Sequence, residues 1–262
     1  PSAVAAWSLK GEDFLKDNTT VSEMKLRLGW GQTGQQEGVA DYGYFANYSM
    51  SNGVNGSFYD ITKDGYLARP NAYNPALKWE TTTTTNVGID LAMFNNRLEF
   101  TAEWYKNKSE DLLYSVPVPA QTGVSNTSVT MNAASMENSG FEFSATYRNR
   151  DHAFKYDISA NVSTLKNKVT SLGIGKDSYI TGAYATYVGQ EIGQFYGWVY
   201  KGIARTEDDL ANNAVQQGAN VGDCLYEDIS GPNGEPDGVI DAYDQTVLGS
   251  GLPKVNFGLS TH

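Results

Sequence analysis

The sequence is poor in the residues that build most catalytic and metal centres. It has one cysteine, Cys224, and two histidines, His152 and His262, among 262 residues. One cysteine supports neither a disulfide framework nor a thiolate metal cluster. Neither histidine stands in a Ser/His/Asp arrangement suited to nucleophilic catalysis, and Cys224 has no obvious base beside it. We therefore expect a protein that is not an enzyme.

Basic residues and long apolar runs are also scarce. Lys and Arg number 19 against 30 Asp and Glu, for a net charge of −11. There is no basic stripe to neutralise phosphates, which argues against a nucleic-acid partner. No run of about 18 apolar residues is present, which excludes a membrane-spanning helix, and the first residues do not resemble a signal peptide. A membrane β-barrel is not excluded, because its apolar band is hidden in alternation.

Alternation between apolar and polar residues is what the sequence has in quantity. In NVGIDLAMFNNRLEFTAEWYKN, residues 86–107, every second residue is apolar on both sides of Asn95-Asn96. This pattern predicts a β-hairpin with strands at 87–94 and 98–106, since Asn tolerates the left-handed conformations of tight turns. Similar alternation predicts strands at 23–30, 141–148 and 154–164, and partial strands at 3–8 and 255–261.

The links between these strands are short at one end and long at the other. Links at 95–96 and 149–153 are short, whereas those at 34–80, 108–138 and 168–253 are long. A half-solvated sheet of a soluble protein also alternates. Long strands, aromatic residues towards strand ends and one-sided long loops are instead typical of outer-membrane barrels. The aromatics in question are Trp30, Trp104, Tyr105, Tyr147, Phe154 and Tyr156.

The two faces then have different solvents. The apolar face carries no charge and is expected to meet lipid, where a charge at midplane costs roughly 2–4 kcal/mol. The opposite face is expected to line a wet lumen, with Lys25, Arg27, Asp90, Glu99, Glu103, Glu142, Arg148, Lys155 and Asp157. About seven strands do not close a barrel, because bacterial single-chain barrels have even strand numbers. An open edge in lipid would also leave backbone groups unpaired. The fold class expected is all-β, a piece of a larger antiparallel transmembrane barrel.

Several motifs in order resemble one family, the SusC/RagA-like TonB-dependent transporters of the Bacteroidetes outer membrane. LRLGWGQTGQQ (26–36) is similar to its strand signature, and residues 74–113 are similar to its most recognisable block. The remaining matches are VPVPAQTG (116–123), NAASMENSGFEFSATYRN (132–149), GQEIGQFYGWVYKGIA (189–204) and DGVIDAYDQTVLGSGLPKVNFGLS (237–260).

The resemblance implies what the whole protein does. Residues 1–262 would be part of one 22-stranded barrel domain, without the family's plug, its TonB-contacting segment or its closing strands. Residues 168–253 would form a long extracellular loop region. The implied activity is active import of glycans, or of peptides in the RagA-like branch, across the bacterial outer membrane. The implied partners are a SusD-like surface lipoprotein and the TonB complex.

One acidic loop has the spacing of a calcium site. NGEPDGVIDAYD (233–244) places oxygen ligands at the alternate positions of an EF-hand loop. Asp228 is an alternative first ligand, since Asn233 and Pro236 depart from the pattern, and a metal-free acidic loop explains the same residues. The predicted Ca²⁺ ligands are Asn233, Glu235, Asp237, Val239 (through its carbonyl), Asp241 and Asp244.

The loops hold further predictions that the residues leave open. TEDDLANNAVQQ (206–217) predicts a short helix with Thr206 as its cap. Loop aromatics could stack on sugars or could pack the loops, and no ligand-binding residue is singled out. They are Tyr42, Tyr44, Phe45, Tyr48, Tyr59 and Tyr66 in the first loop, and Tyr179, Tyr184, Tyr187, Tyr196, Trp198 and Tyr200 in the third.

Two alternatives to an active importer remain open at this level. One is a soluble or surface β carbohydrate-binding module stabilised by calcium, which accounts for the aromatics and the acidic loop but not for the one-sided loops. The other is passive diffusion through a porin, which wall residues do not distinguish from active import.

Overall fold

Strands make up nearly all the regular structure. The structure, a computed structural model, describes residues 1–37, 43–51, 67–151, 153–173 and 175–262. The single α-helix in these ranges, α1, spans Glu207–Ala211. The strands are β1 (Ser2–Ser8), β2 (Val21–Gln35), β3 (Tyr48–Ser51), β4 (Leu67–Pro70), β5 (Glu80–Met93), β6 (Leu98–Pro117), β7 (Ser128–Asn149), β8 (Tyr156–Thr164), β9 (Lys166–Ser171), β10 (Ser178–Thr181), β11 (Tyr184–Tyr187), β12 (Gln194–Trp198), β13 (Tyr200–Ile203), β14 (Cys224–Tyr226), β15 (Gln245–Gly249) and β16 (Val255–Thr261).

The chain divides into two units. The first comprises Pro1–Lys176 and Lys254–His262, and the second comprises Asp177–Pro253. Across the described residues, no helix has the length and apolar character needed to cross a membrane.

The first unit is built on one antiparallel sheet. Its strand order is β1-β2-β5-β6-β7-β8-β16, and β9 continues along β7 beyond β8. Within the described residues β1 and β16 each pair with a single strand, so the sheet is open. The expectation of an antiparallel all-β fragment that does not close is confirmed.

The predicted hairpin forms around the two asparagines. β5 and β6 pair from Thr81↔Glu110 to Met93↔Leu98. The connecting turn holds three consecutive residues in the left-handed region, Phe94, Asn95 and Asn96, with φ of 55°, 56° and 64°. Asn adopts this conformation more readily than other non-glycine residues, which explains why the reversal occurs here.

Strand register keeps the two faces separate across the sheet. Leu28 pairs with Val87, Val87 with Trp104 and Trp104 with Phe141, all on the apolar face. Much of this face is exposed, up to 84% for Phe257. Other exposed members are Leu28, Trp30, Val87, Phe143, Tyr147, Ile158, Val162, Val255 and Leu259. A water-soluble sheet would cover such a surface with a second layer.

The strands are longer than alternation alone predicts. The link expected at 108–138 is mostly strand, because β6 continues to Pro117 and β7 begins at Ser128. The prediction of a long loop there is wrong. Residues 106–111 of β6 are all polar, so the period-2 signal is interrupted there although the backbone ladder continues. A register shift between Ser109 and Leu112, with Asp111 at φ 57°, is absorbed within the ladder.

The second unit contains two small sheets and a capped helix. One sheet has the order β10-β11-β12-β15 and the other pairs β13 with β14. Thr206 caps α1 through a capping box with Asp209. The helix predicted at 206–217 is therefore present but ends at Ala211. The ladder of β9 with β7 extends the first unit's sheet to Ser171, into the residues predicted as the long 168–253 link.

Candidate functional site

The polar face of the main sheet carries an ion-pair cluster on three neighbouring strands. Arg27 of β2 donates from Nε to Asp90 Oδ2 at 2.7 Å and from Nη2 to Asp90 Oδ1 at 3.1 Å. Its Nη1 donates to Glu103 Oε2 at 3.0 Å. The side chains of Arg27 and Asp90 are each 32% exposed and that of Glu103 is 23% exposed. The cluster is thus partly solvated, with all three guanidinium nitrogens engaged.

A glycine opposite Arg27 makes room for this arrangement. Gly88 is the register partner of both Arg27 and Glu103. A Cβ on Gly88 would lie 3.0 Å from Arg27 Nη2 and 3.4 Å from Glu103 Oε2. The missing side chain therefore lets the guanidinium lie across β5 and reach β6.

Two members of the cluster escaped the sequence prediction. Asn86 Nδ2 donates to Glu103 Oε1 at 3.1 Å, and Thr101 Oγ1 donates to Asp90 Oδ1 at 3.3 Å. Both stand at polar-face positions of the alternation, which is the signal that could have identified them. They were missed because the prediction followed charge alone.

Nearer the short turns, further predicted residues form ion pairs. Arg148 pairs with Glu99, and Arg150 Nη2 donates to Asp157 Oδ2 at 2.5 Å. Arg150 lies beyond the end of β7 and was not predicted. Lys25 stands opposite Asp90 in the register of β2 with β5. Lys155 lies in the turn before β8 rather than in a strand, so it was wrongly assigned to the strand at 154–164.

Glu142 is one of the predicted residues that form no ion pair with a described residue. It pairs in register with Glu103 and with Ser163, and no cation among the described residues lies within ion-pair distance of it. A groove of about 340 Å³ runs past this carboxylate. The polar side chains along the groove belong to Thr101, Glu103, Glu142, Ser144, Asn161 and Ser163. The arrangement offers hydrogen-bond donors, acceptors and one uncompensated negative charge to whatever faces it.

The aromatic residues divide between the two faces. Trp30, Trp104 and Tyr147 lie on the apolar face, as expected. Tyr105 lies on the polar face opposite Gly140, as the alternation predicts, and its hydroxyl donates to the Thr164 carbonyl at 3.3 Å. Phe154 lies before β8 and is 77% exposed. Of the other residues considered, Tyr42, Tyr59, Tyr66 and His152 lie outside the described residues.

In the second unit, the acidic loop is organised by hydrogen bonds from backbone amides. Asp244 has no exposed surface. Its Oδ1 accepts from the N–H groups of Ile229 (2.8 Å) and Ser230 (3.1 Å), and its Oδ2 accepts from Asp241 N–H at 2.8 Å. Burial acts to raise the pKa of Asp244, but these three amides outweigh it and the pKa is lowered. Asp244 therefore holds the loop as a carboxylate.

The other acidic residues of the loop act in the same way. Asp228 accepts from the N–H groups of Asp237 (3.3 Å) and Gly238 (2.7 Å). Asp237 accepts from Val239 N–H at 3.0 Å, and Asp241 accepts from Tyr243 N–H at 2.7 Å. Asn233 and Glu235 are exposed.

Three carboxylates among the predicted calcium ligands, Asp237, Asp241 and Asp244, accept hydrogen bonds from backbone amides. Among the described residues, no three His, Cys, Asp or Glu side chains are placed to hold a metal ion. Calcium binding stays a prediction from the spacing.

Comparison with known proteins agrees with this architecture. A model of the TonB dependent receptor-like β-barrel family matches residues 1–231. The chain is 34% identical over 271 residues to TonB-dependent receptor P3 of Formosa agariphila, covering 99% of the chain and 26% of that protein. It is 33% identical over 280 residues to TonB-dependent receptor SusC of Bacteroides thetaiotaomicron, covering 100% of the chain and 25% of that protein.

Solved structures share the fold. The RagAB peptide transporter matches with a TM-score of 0.76 at 23% identity, over 99% of this chain and 26% of that one. The RagAB peptide importer in its "open-open" state matches with a TM-score of 0.75 at 22% identity, over 99% and 26%. The chain thus spans about a quarter of the length of its relatives. It belongs to the TonB-dependent receptor-like β-barrel family of the bacterial outer membrane, as a SusC/RagA-like stretch of an unclosed antiparallel barrel.

Proposed function

We propose that this chain forms part of the barrel wall of an outer-membrane importer of glycans, with peptides as the second candidate cargo. The observation that carries the proposal is the contrast between the two faces of one sheet. One face is apolar and exposed, from Leu28 to Phe257. The other holds the Arg27–Asp90–Glu103 cluster and the groove beside Glu142.

The apolar face contacts lipid in this proposal. The apolar band ends abruptly on β6, because the next residue after Trp104 on the same face is Lys106. Lys106 pairs with Glu137 Oε2 at 3.0 Å. Aromatic residues at the edge of an apolar band are typical of membrane interfaces. The exposed apolar face also speaks against a soluble calcium-stabilised carbohydrate-binding module, which would have to bury it.

The polar face lines the lumen. Lys25, Arg27 and Arg148 stand among Asp90, Glu99, Glu103, Glu142 and Asp157, while Lys155 lies at the turn. Most of these charges are paired within the wall. Paired charges stay hydrated without presenting one strong binding site, which suits a wall past which a polar cargo must move.

The family supports the proposed cargo and partners. A SusD-like lipoprotein would close over the outer loops, and the TonB complex would act through parts of the protein outside this chain. The loop aromatics support a sugar cargo, because aromatic rings offer apolar faces to sugar rings. Uptake of labelled oligosaccharides and labelled peptides by cells carrying the full gene, with and without the lipoprotein, distinguishes the two cargoes.

Adjacent residues on opposite faces test the wall assignment. Phe100 lies on the apolar face and Thr101 on the polar face. In the full-length protein, Phe100→Arg should abolish assembly into the outer membrane, since Arg facing lipid costs roughly 2–4 kcal/mol. Thr101→Arg should assemble, because it faces water beside Asp90. Assembly is measured by protease resistance of membrane fractions, and equal assembly of both variants would refute the proposal.

A further inference from the structure

Four lysines lie just past the apolar band on the same side of the sheet. Register places Lys106 and Lys166 on either side of Ser139, one step beyond Phe141 on β7. Lys108 and Lys168 flank Glu137 one step further on. Because side chains alternate along a strand, all four point to the side of Trp104 and Phe141. The lysines therefore border the apolar surface directly.

Two of these lysines are neutralised and two are not. Lys106 pairs with Glu137 Oε2 at 3.0 Å, and Lys108 pairs with Glu110 Oε1 at 2.7 Å. Lys166 and Lys168 are exposed, and no carboxylate of the described residues lies within ion-pair distance of either. The patch thus carries two uncompensated positive charges on a chain whose net charge is −11.

Packing of β9 holds the side chains of Lys166 and Lys168 on this side of the sheet. Between and beyond them, Asn167 and Val169 turn to the opposite side and are 7% and 2% exposed. Asn167 Nδ2 donates to Asn138 Oδ1 at 2.7 Å. With its inner residues buried, β9 cannot slip by one residue without exposing Val169 and burying a lysine. The two ammonium groups are therefore fixed on the outward side.

We propose that Lys166 and Lys168 bind the phosphate of an anionic lipid headgroup. The headgroup belongs to the leaflet at the end of the sheet where the links between strands are long. This inference rests on the proposed function, since it requires the apolar face to contact acyl chains. A headgroup phosphate lies beside the end of the hydrocarbon region, which is where these lysines stand relative to Trp104. Two ammonium groups attract it by charge, and the Ser139 hydroxyl between strands β6 and β9 supplies a further donor.

Quenching of Trp104 fluorescence separates lipid contact from headgroup recognition. The full-length protein is placed in phosphatidylcholine nanodiscs with a minor fraction of brominated phosphatidic acid or brominated phosphatidylcholine. The fluorescence of Trp104 is obtained by subtracting the fluorescence of the Trp104→Phe variant from that of the unchanged protein. We expect brominated phosphatidylcholine to quench Trp104, and brominated phosphatidic acid to quench it at several-fold lower lipid fraction.

Three variants test the assignment with effects of different sign. K166Q/K168Q should lower the preference for phosphatidic acid at least about fivefold. About fivefold is the effect expected for removal of a single near-surface lysine, and this variant removes two. E137Q should raise the preference, because it removes the competing carboxylate and frees Lys106. K176Q/K201Q loses the same charge from exposed lysines outside the main sheet and should leave the preference unchanged.

Each negative result has its own meaning. If neither lipid quenches Trp104, the lipid-facing assignment of the proposed function fails. If both lipids quench but K166Q/K168Q keeps the wild-type preference, the headgroup site is overturned while the proposed function stands. An equal loss in K176Q/K201Q would show a diffuse charge effect and would also overturn the site.

Discussion

Arg27 on β2 and Asp90 on β5 form a two-bond ion pair across the polar face, with N···O distances of 2.7 and 3.1 Å. The two residues are 63 positions apart in the chain. They meet because Arg27 pairs in register with Gly88, two residues before Asp90. A side chain at position 88 would crowd the guanidinium, so the pair depends on a residue that takes no part in it.

Removal of Arg27 should destabilise the wall by leaving Asp90 and Glu103 facing each other without a cation. We expect Arg27→Ala to lower the free energy of unfolding in detergent micelles by about 1 kcal/mol, discounted for partial solvent exposure. Arg27→Ala/Asp90→Asn should lose less than the sum of the single variants. Strict additivity in this double-mutant cycle would contradict the pairing.

Gly140 should be intolerant of even one methyl group. A Cβ there would overlap the Thr164 carbonyl oxygen and lie 2.9 Å from the Tyr105 hydroxyl. We expect Gly140→Ala to lower the unfolding free energy by about 1–3 kcal/mol, as overpacking does. Gly31→Ala is the matched control, since its Cβ would meet only Ser2 Cβ at 3.6 Å. Urea unfolding in micelles measures both, and equal midpoints would argue against the close approach.

Acid should loosen the second unit through Asp244. The folded pKa of Asp244 lies below its ordinary value of 3.8. Its stabilisation is therefore fully present above the unfolded pKa and is lost as the pH falls through the folded pKa. The protection of the peptide covering residues 226–244 against hydrogen exchange, relative to the unfolded chain at the same pH, should fall in that acidic window.

The Asp244→Asn variant should show the same loosening at neutral pH. It removes the charge that three amides share, at a cost of about 1–3 kcal/mol. Asp208→Asn, an exposed acid in the first turn of α1, is the control and should exchange as the unchanged protein does. This role would be contradicted if acid left the protection of the wild-type peptide from hydrogen exchange unchanged. It would also be contradicted if the Asp244→Asn peptide were as protected at neutral pH as the wild-type peptide.

Calcium binding by residues 233–244 can be tested with little change to the loop. Asp237→Asn removes a charged ligand while its amide oxygen can still accept from Val239 N–H. If the spacing does specify a site, calorimetric titration of the full-length protein with Ca²⁺ should show binding that Asp237→Asn weakens at least about tenfold. Glu207→Gln should bind as the unchanged protein does. Absence of a binding isotherm for the unchanged protein would contradict the prediction.

The position of the strands within the apolar band, and the pairing across their two short turns, could be predicted from the sequence. Alternation needs only local information, because each residue must match the solvent of its own face. The turn at Asn95-Asn96 was equally local, since left-handed backbone limits residue choice. The outer halves of β6 and β7 were not found this way, because the polar stretch at residues 106–111 and the register shift after Ser109 interrupt the alternation.

By itself, the sequence determined which side chains share a face, since a strand turns successive residues to opposite sides whatever lies around it. Only the tertiary structure decided which charges neutralise one another. Arg27 reaches Asp90 and Glu103, while Glu142 and Lys166 do not meet a countercharge among the described residues. Those relationships depend on the register between strands that are distant in sequence, and on glycines that leave room for a neighbouring side chain. Neither can be read from any short stretch of residues.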